Sequence, residues 1–209
     1  RRFGNQAGIH MPRLTRTPAG GVVRQQRGRV QTEVQAIEPI VATNASERMW
    51  FETRALTGGS RNILDLSKLG RKVMGDATGT RYETDNANYI LGDLVFFDVN
   101  PEDTDMEKSV TVNYNGIDYM DCVIKYPDGD LANGTWRIQL KGQASSGEKL
   151  HRVGGADWLC NRIIVLEKIR TDYYVLSVLG VDQLDTLKQQ SQIVATNGSA
   201  ANSKMYGLL

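Results

Sequence analysis

"SVTVNYNGIDYMDCVIKY", Ser109 to Tyr126, holds the strongest local signal in the chain. Asn115-Gly116 is a two-residue turn of the kind that needs positive φ at both positions, and an alternating run flanks it on either side. In that register Tyr114 faces Ile117 and Val112 faces Tyr119, while Asn113 and Asp118 point the other way. A hairpin of this kind is the unit of an antiparallel sheet and calls for partner strands in the neighbouring sequence.

Downstream, "YPDGD" is a second turn. "NGTWRIQLKGQASSGEK", Asn133 to Lys149, then reads as a strand running into a loop. Trp136, Ile138 and Leu140 fall on one face, and Arg137, Gln139 and Lys141 on the other. "NRIIVLEKI" and "DYYVLSVLG" form a further pair joined around Arg170-Thr171-Asp172. "VDQLDTLKQQS" has a helical spacing, with Val181, Leu184 and Leu187 on one side and Asp182 near its start. The tail "TNGSAANSKMYGLL" reads as a polar loop with a final docking segment.

Upstream, the apolar run Leu94 to Val99 reads as a buried strand, followed by an acidic loop, "PEDTDME". That loop lacks the Gly-centred carboxylate spacing of a calcium site. "ILDLSKLG" fits a strand or a short helix. In "RMWFETRAL", Met49, Phe51 and Thr53 alternate with Trp50, Glu52 and Arg54 as in a strand. About seven strands and one or two short helices result. They do not alternate, which argues against a parallel α/β sheet and for a mainly antiparallel barrel or sandwich.

Residues 1–45 are rich in Gly, Pro, Gln, Thr and Arg, and residues 1–32 hold seven Arg and no acid. They read as a basic arm or interdomain linker, with 46–209 as the folded domain. A basic arm on a mildly acidic domain points to an anionic partner. No apolar run approaches a membrane span, and "RRFGNQAGIHMPRL" has no signal-peptide core, so no membrane partner is expected. Two distant cysteines, Cys122 and Cys160, fit a reduced, cytoplasmic compartment and exclude a CxxC zinc site.

Tools of catalysis are missing. There is no GxSxG, HExxH, Walker loop or HxK motif, and Glu167-Lys168 lacks the spacing of a nuclease ExK. No cofactor is expected, and the chain reads as a binding protein. Arg and Lys hold phosphates, while Arg, Asn and Gln read base edges in the major groove. One concentration of such residues is Arg54, Ser60, Arg61 and Asn62, with Lys68, Arg71 and Lys72 close behind. A second is Arg137, Gln139, Lys141, Gln143, Ser145, Ser146 and Lys149. A weaker third is "GTRYETDNAN", with Arg81, Tyr82, Asn86 and Asn88.

Four stretches, "MWFETRALTGGSRNILDLS", "GTRYETDNANYILGDLVFFDVNPEDTD", "NGIDYMDCVIKYPDGDLANGTWRIQLKG" and "EKIRTDYYVLSV", resemble the C-terminal recognition domain of type IIS restriction endonucleases that carry a phospholipase-D-type nuclease. The resemblance covers roughly residues 46–209. It implies a B3-like fold, a seven-stranded open pseudobarrel with one or two short flanking helices. It also implies double-stranded DNA as partner, gripped in the major groove by an N-arm at "TRALTGGSRN" and a C-arm at "TWRIQLKGQASSGEK". Residues 1–45 would then be the linker from an N-terminal nuclease domain of the same polypeptide. The acidic 101–107 loop should lie away from the duplex. Two other classes fit the same features less fully. One is a virion-type structural or assembly β-barrel with an Arg-rich arm. The other is a carbohydrate-binding sandwich, which the low aromatic content of 7% disfavours.

Overall fold

The computed structural model describes residues 46–56, 61–68, 77–83, 92–128, 134–196 and 204–209. The candidate basic arm, 1–45, and its boundary with the domain lie outside them, as do Ser60, Arg71, Lys72, Asn86 and Asn88.

The hairpin forms as its sequence dictates. β3 (Glu107–Tyr114) and β4 (Ile117–Lys125) pair with Tyr114 opposite Ile117 and Val112 opposite Tyr119. Asn115 and Gly116 take φ of 52° and 82°. The Asn113 side chain fastens the turn, accepting from the Gly116 N–H at 3.1 Å and donating to Asp118 at 2.6 Å. The register shifts between Val110 and Val112, where Asp121 on β4 sits at φ 63°, a bulge that returns Cys122 and Ile124 to the core.

Seven further strands complete the sheet: β1 (Glu47–Glu52), β2 (Ile63–Lys68), β5 (Thr135–Gln139), β6 (Ile163–Arg170), β7 (Tyr173–Leu179), β8 (Ile193–Thr196) and β9 (Met205–Leu208). The order is β2-β5-β4-β3-β7-β6-β1-β9-β8, curled into an open half-barrel. Every described pairing is antiparallel except β3 with β7. The expectation of a mainly β, open-barrel architecture therefore stands, but with nine strands in place of seven. The two unforeseen strands are the four-residue β8 and β9 near the C-terminus. β9 docks between β8 and β1, and its Tyr206 and Leu208 are buried.

The run Leu94 to Val99 is not a strand. Residues Gly92–Phe96 form a short helix, α1. A continuous apolar run carries no period, so sequence cannot separate a buried strand from a buried helical turn. The helix stops at Asp98, φ 53°, with Val99 N–H donating to Leu94 O (2.9 Å) and Asp98 N–H to Val95 O (3.0 Å). That is a Schellman closure with aspartate where glycine is usual. Lys168 and Lys108 donate to the freed carbonyls of Phe96 and Phe97, at 3.0 and 2.6 Å. Cations at a helix C-terminus complement its dipole.

The second helix, α2 (Leu184–Gln190), also departs from expectation at its start. Val181 lies in a 3-10 turn ahead of it and is 56% exposed, while Leu187 alone of the three is buried. Leu187 packs with Trp50, Ile163 and Val165 in a small cluster apart from the main core. β1 is consequently buried on both faces: Met49 and Phe51 face the main core, and Trp50 faces the cluster. The Trp50 indole N–H donates to Ser191 Oγ at 2.8 Å.

Candidate nucleic-acid interface

Strand pairing determines which loops share an end of the sheet. Ile63 at the start of β2 lies opposite Gln139 at the end of β5. Glu52 at the end of β1 lies opposite Ile163 at the start of β6. β3 runs parallel to β7, so its Asn115-Gly116 turn points to the same end as Leu179. The β1–β2 connection (53–62), the hairpin tip and the β5–β6 connection (140–162) therefore all leave from one end. The bases of the two sequence-derived arms lie side by side, joined by the Leu140 N–H bonding to Asn62 O at 2.9 Å, while residues 57–60 of the N-arm lie outside the described residues. A shared rim is what a two-armed grip requires.

The two arm-bearing segments are also the basic part of the domain. Segments 53–62 and 140–162 contain six Lys and Arg and two acids, while the rest of 46–209 contains twelve and twenty. The acidic 101–107 loop leads into the start of β3, at the opposite end of an eight-residue strand. That is a separation of about 26 Å at the usual rise.

The C-arm is built, not merely connected. Met120 and Gln143 exchange both backbone hydrogen bonds, 3.0 and 2.8 Å, so the arm continues along β4 beyond the end of β5. Its tip closes through Ala144 N–H to Glu148 O (2.8 Å), Gly147 N–H to Ala144 O (2.9 Å) and the Gln143 amide to Gly147 O (3.0 Å). On the core side Tyr119 donates its hydroxyl to Glu148 at 3.1 Å. Ala144 and Leu150 anchor the base in the core. Lys141, Gln143, Ser145, Ser146 and Lys149 are left exposed on a braced frame, which limits the ordering cost of binding.

Gly142 permits this close lay-down. A Cβ there would stand 2.7 Å from Cys122 Sγ and 2.8 Å from Met120 O. The carbonyl cannot retreat without breaking the Met120–Gln143 pair. Gly142→Ala is expected to cost about 1–3 kcal/mol by overpacking and to loosen the C-arm, measured by urea unfolding and by DNA affinity on the same preparation.

Several sequence candidates are engaged within the protein. Trp136, Ile138 and Leu140 are fully buried, as their alternation requires. On the opposite face Arg137 pairs with Asp65 at 3.2 Å, and the next pair in that row is Lys125 with Glu107, also at 3.2 Å. The row is thus a self-neutralised ladder across β3, β4, β5 and β2. Arg137 is only 17% exposed in its side chain. Gln139 is half-buried one step nearer the arm. Arg61, at φ 47°, forms an ion pair with Asp157. Asn62 is buried, so its side chain does not face outward. Arg54 is half-buried beside Thr53, whose hydroxyl bonds the Leu159 and Arg162 carbonyls and ties the N-arm base to the 150–162 connection. The backbone of Lys68 ends β2 opposite Thr135, at the far end from the arms.

The third candidate cluster separates from the other two. Arg81 pairs with Glu47, at the start of β1, and Tyr82 is buried. β1 carries about 20 Å of strand between this point and Arg54. Arg81 and Tyr82 therefore do not share the rim.

Two cations that no sequence pattern marked do share it. Arg152 and Arg162 are exposed on the connection between the arms. With Lys141 and Lys149 they form a set with no carboxylate partner among the described residues. His151 beside them is held below its ordinary pKa, first by burial and then by Arg152 and Lys149, which keeps it neutral at neutral pH. Among the described residues no group of three or more His, Cys, Asp or Glu could hold a metal ion. No helix among them is long and apolar enough to cross a membrane. Cys122 is buried and Cys160 half-buried, both as free thiols. No protein-family model matches the chain, and no curated protein matches it.

Proposed function

We propose that this chain binds double-stranded DNA sequence-specifically, through two β-arms entering the major groove, as the target-recognition domain of a restriction endonuclease. The observation that carries the proposal is the rim: the bases of two arms side by side, with four cations on the C-arm and the connection between the arms that have no carboxylate partner among the described residues. Ions held by carboxylates have little left for phosphate, whereas unpaired ones release DNA counterions on binding. Lys141, Lys149, Arg152 and Arg162 are the phosphate contacts in this scheme. Ser145, Ser146 and Gln143, at the braced tip, are placed to meet base edges. Arg137 supports the strand beneath them through Asp65. The chain itself has a binding role, with DNA cleavage belonging to a partner nuclease domain.

The competing assembly role makes a different prediction. It expects oligomers on sizing and DNA binding that disappears when residues 1–45 are removed. The proposal expects the shortened chain to retain affinity that falls steeply with salt, with specific binding at least ~10³-fold tighter than to random duplex. Sizing and salt-titrated binding of both chains separate the two.

A further inference from the structure

The rim also contains an apolar side chain in an unusual setting. Met120 is 50% exposed, although Tyr119 just before it and Cys122 two residues after it are fully buried. Because Met120 and Gln143 form a doubly hydrogen-bonded antiparallel pair, their side chains stand next to each other on one face. Gln143 pairs in turn with Lys149, which extends the row to Met120–Gln143–Lys149. Lys141, two residues before Gln143, shares that face. A lone methionine thus shares a face with an amide and two lysines that have no carboxylate partner among the described residues, while Asp118, two residues before it on that face, is taken up by Asn113 and Tyr173. Of the other exposed hydrophobics at this end, Ile117 lies on the opposite face of β4 with Tyr119, and Ile63 stands opposite Gln139, two strands from Met120, so they do not merge into an apolar patch of protein-docking size.

A single apolar group framed by phosphate-binding amines fits one feature of duplex DNA. The major groove edge is polar everywhere except at the thymine 5-methyl. Methionine is flexible and polarisable enough to follow such a group. Resting on the DNA-binding function proposed above, we infer that Met120 contacts a thymine 5-methyl and contributes to sequence preference at that base pair.

The test uses the full chain and the consensus duplex recovered from a randomised pool. Each thymine is replaced singly by deoxyuridine, which removes the methyl and keeps every hydrogen-bonding group. Kd is measured for wild type and Met120→Ala, with thermal melting to show that the exposed substitution leaves the fold intact. At one position the deoxyuridine duplex is expected to bind wild type roughly fourfold more weakly, the worth of one buried methyl. Met120→Ala should bind the thymine and deoxyuridine duplexes equally. Wild type indifferent to deoxyuridine at every position, a consensus without an A·T pair, or a variant still sensitive to the methyl would each overturn the inference while leaving DNA binding in place. Recovery of no consensus would overturn both.

Discussion

Replacing Lys141, Lys149 and Arg152 together with alanine is expected to weaken duplex binding by several hundredfold at about 0.1 M salt, while the melting temperature barely moves. The magnitude follows from counterion release: each phosphate contact contributes roughly 0.9 to the slope of log K against log salt, so losing three flattens it by about 2.7. None of the three is held by a carboxylate among the described residues. All are exposed, which limits the stability effect to a few tenths of a kcal/mol each. Arg48→Ala supplies the control. Arg48 is equally without a carboxylate partner among the described residues, but lies at the start of β1, at the far end of the sheet. It should change neither affinity nor slope. Fluorescence anisotropy across a salt series reads both quantities.

The second large effect concerns stability, and arises at Asp93. This residue opens α1 and is 3% exposed. Its carboxylate accepts from the Ser67 N–H on β2 at 2.5 Å and from the Leu94 N–H at 2.9 Å, which covers part of the free edge of β2. Burial pushes its pKa up to about 6, against the opposing pull of those N–H groups. The folded state therefore binds this proton more tightly than the unfolded chain. The contribution is full below the unfolded value of 3.8 and is lost as pH rises through about 6. Between pH 3.5 and 7.5 the wild type should lose about 3 kcal/mol relative to Asp93→Asn, which cannot titrate. Urea unfolding of both proteins across that range reads the difference directly, and parallel stability curves would remove Asp93 as its source.

The hairpin was legible in the sequence because its signals are local. Asn115-Gly116 satisfies a φ requirement, and alternation on both sides sets the register. β5, β6 and β7 were legible for the same reason. α1 was not, because Leu94 to Val99 is apolar without a period and its end depends on Asp98 adopting a left-handed conformation. Trp50 looked like one face of a simple alternation until α2 covered it. β8 has four residues, too few for a pattern to register.

The rim was legible in part. Both arms could be named from their donors, but their adjacency depends on β2 pairing with β5 across more than seventy residues of chain. Compensation is equally non-local. Arg61, Arg81 and Arg137 look as free in the sequence as Lys141 does, yet Asp157, Glu47 and Asp65 neutralise them. Arg152 sits outside any strand-like run and Arg162 at the leading edge of one, so their place on the rim depends on the packing of the 150–162 connection.

Sequence-specific binding through the rim is measured by selection of the full chain against a randomised duplex pool, in parallel with the Lys141→Ala/Lys149→Ala/Arg152→Ala chain. The wild type is expected to yield a consensus of a few base pairs that collapses in the triple variant. No enrichment by the wild type, or the same consensus at the same strength from both proteins, would rule out a sequence-reading rim.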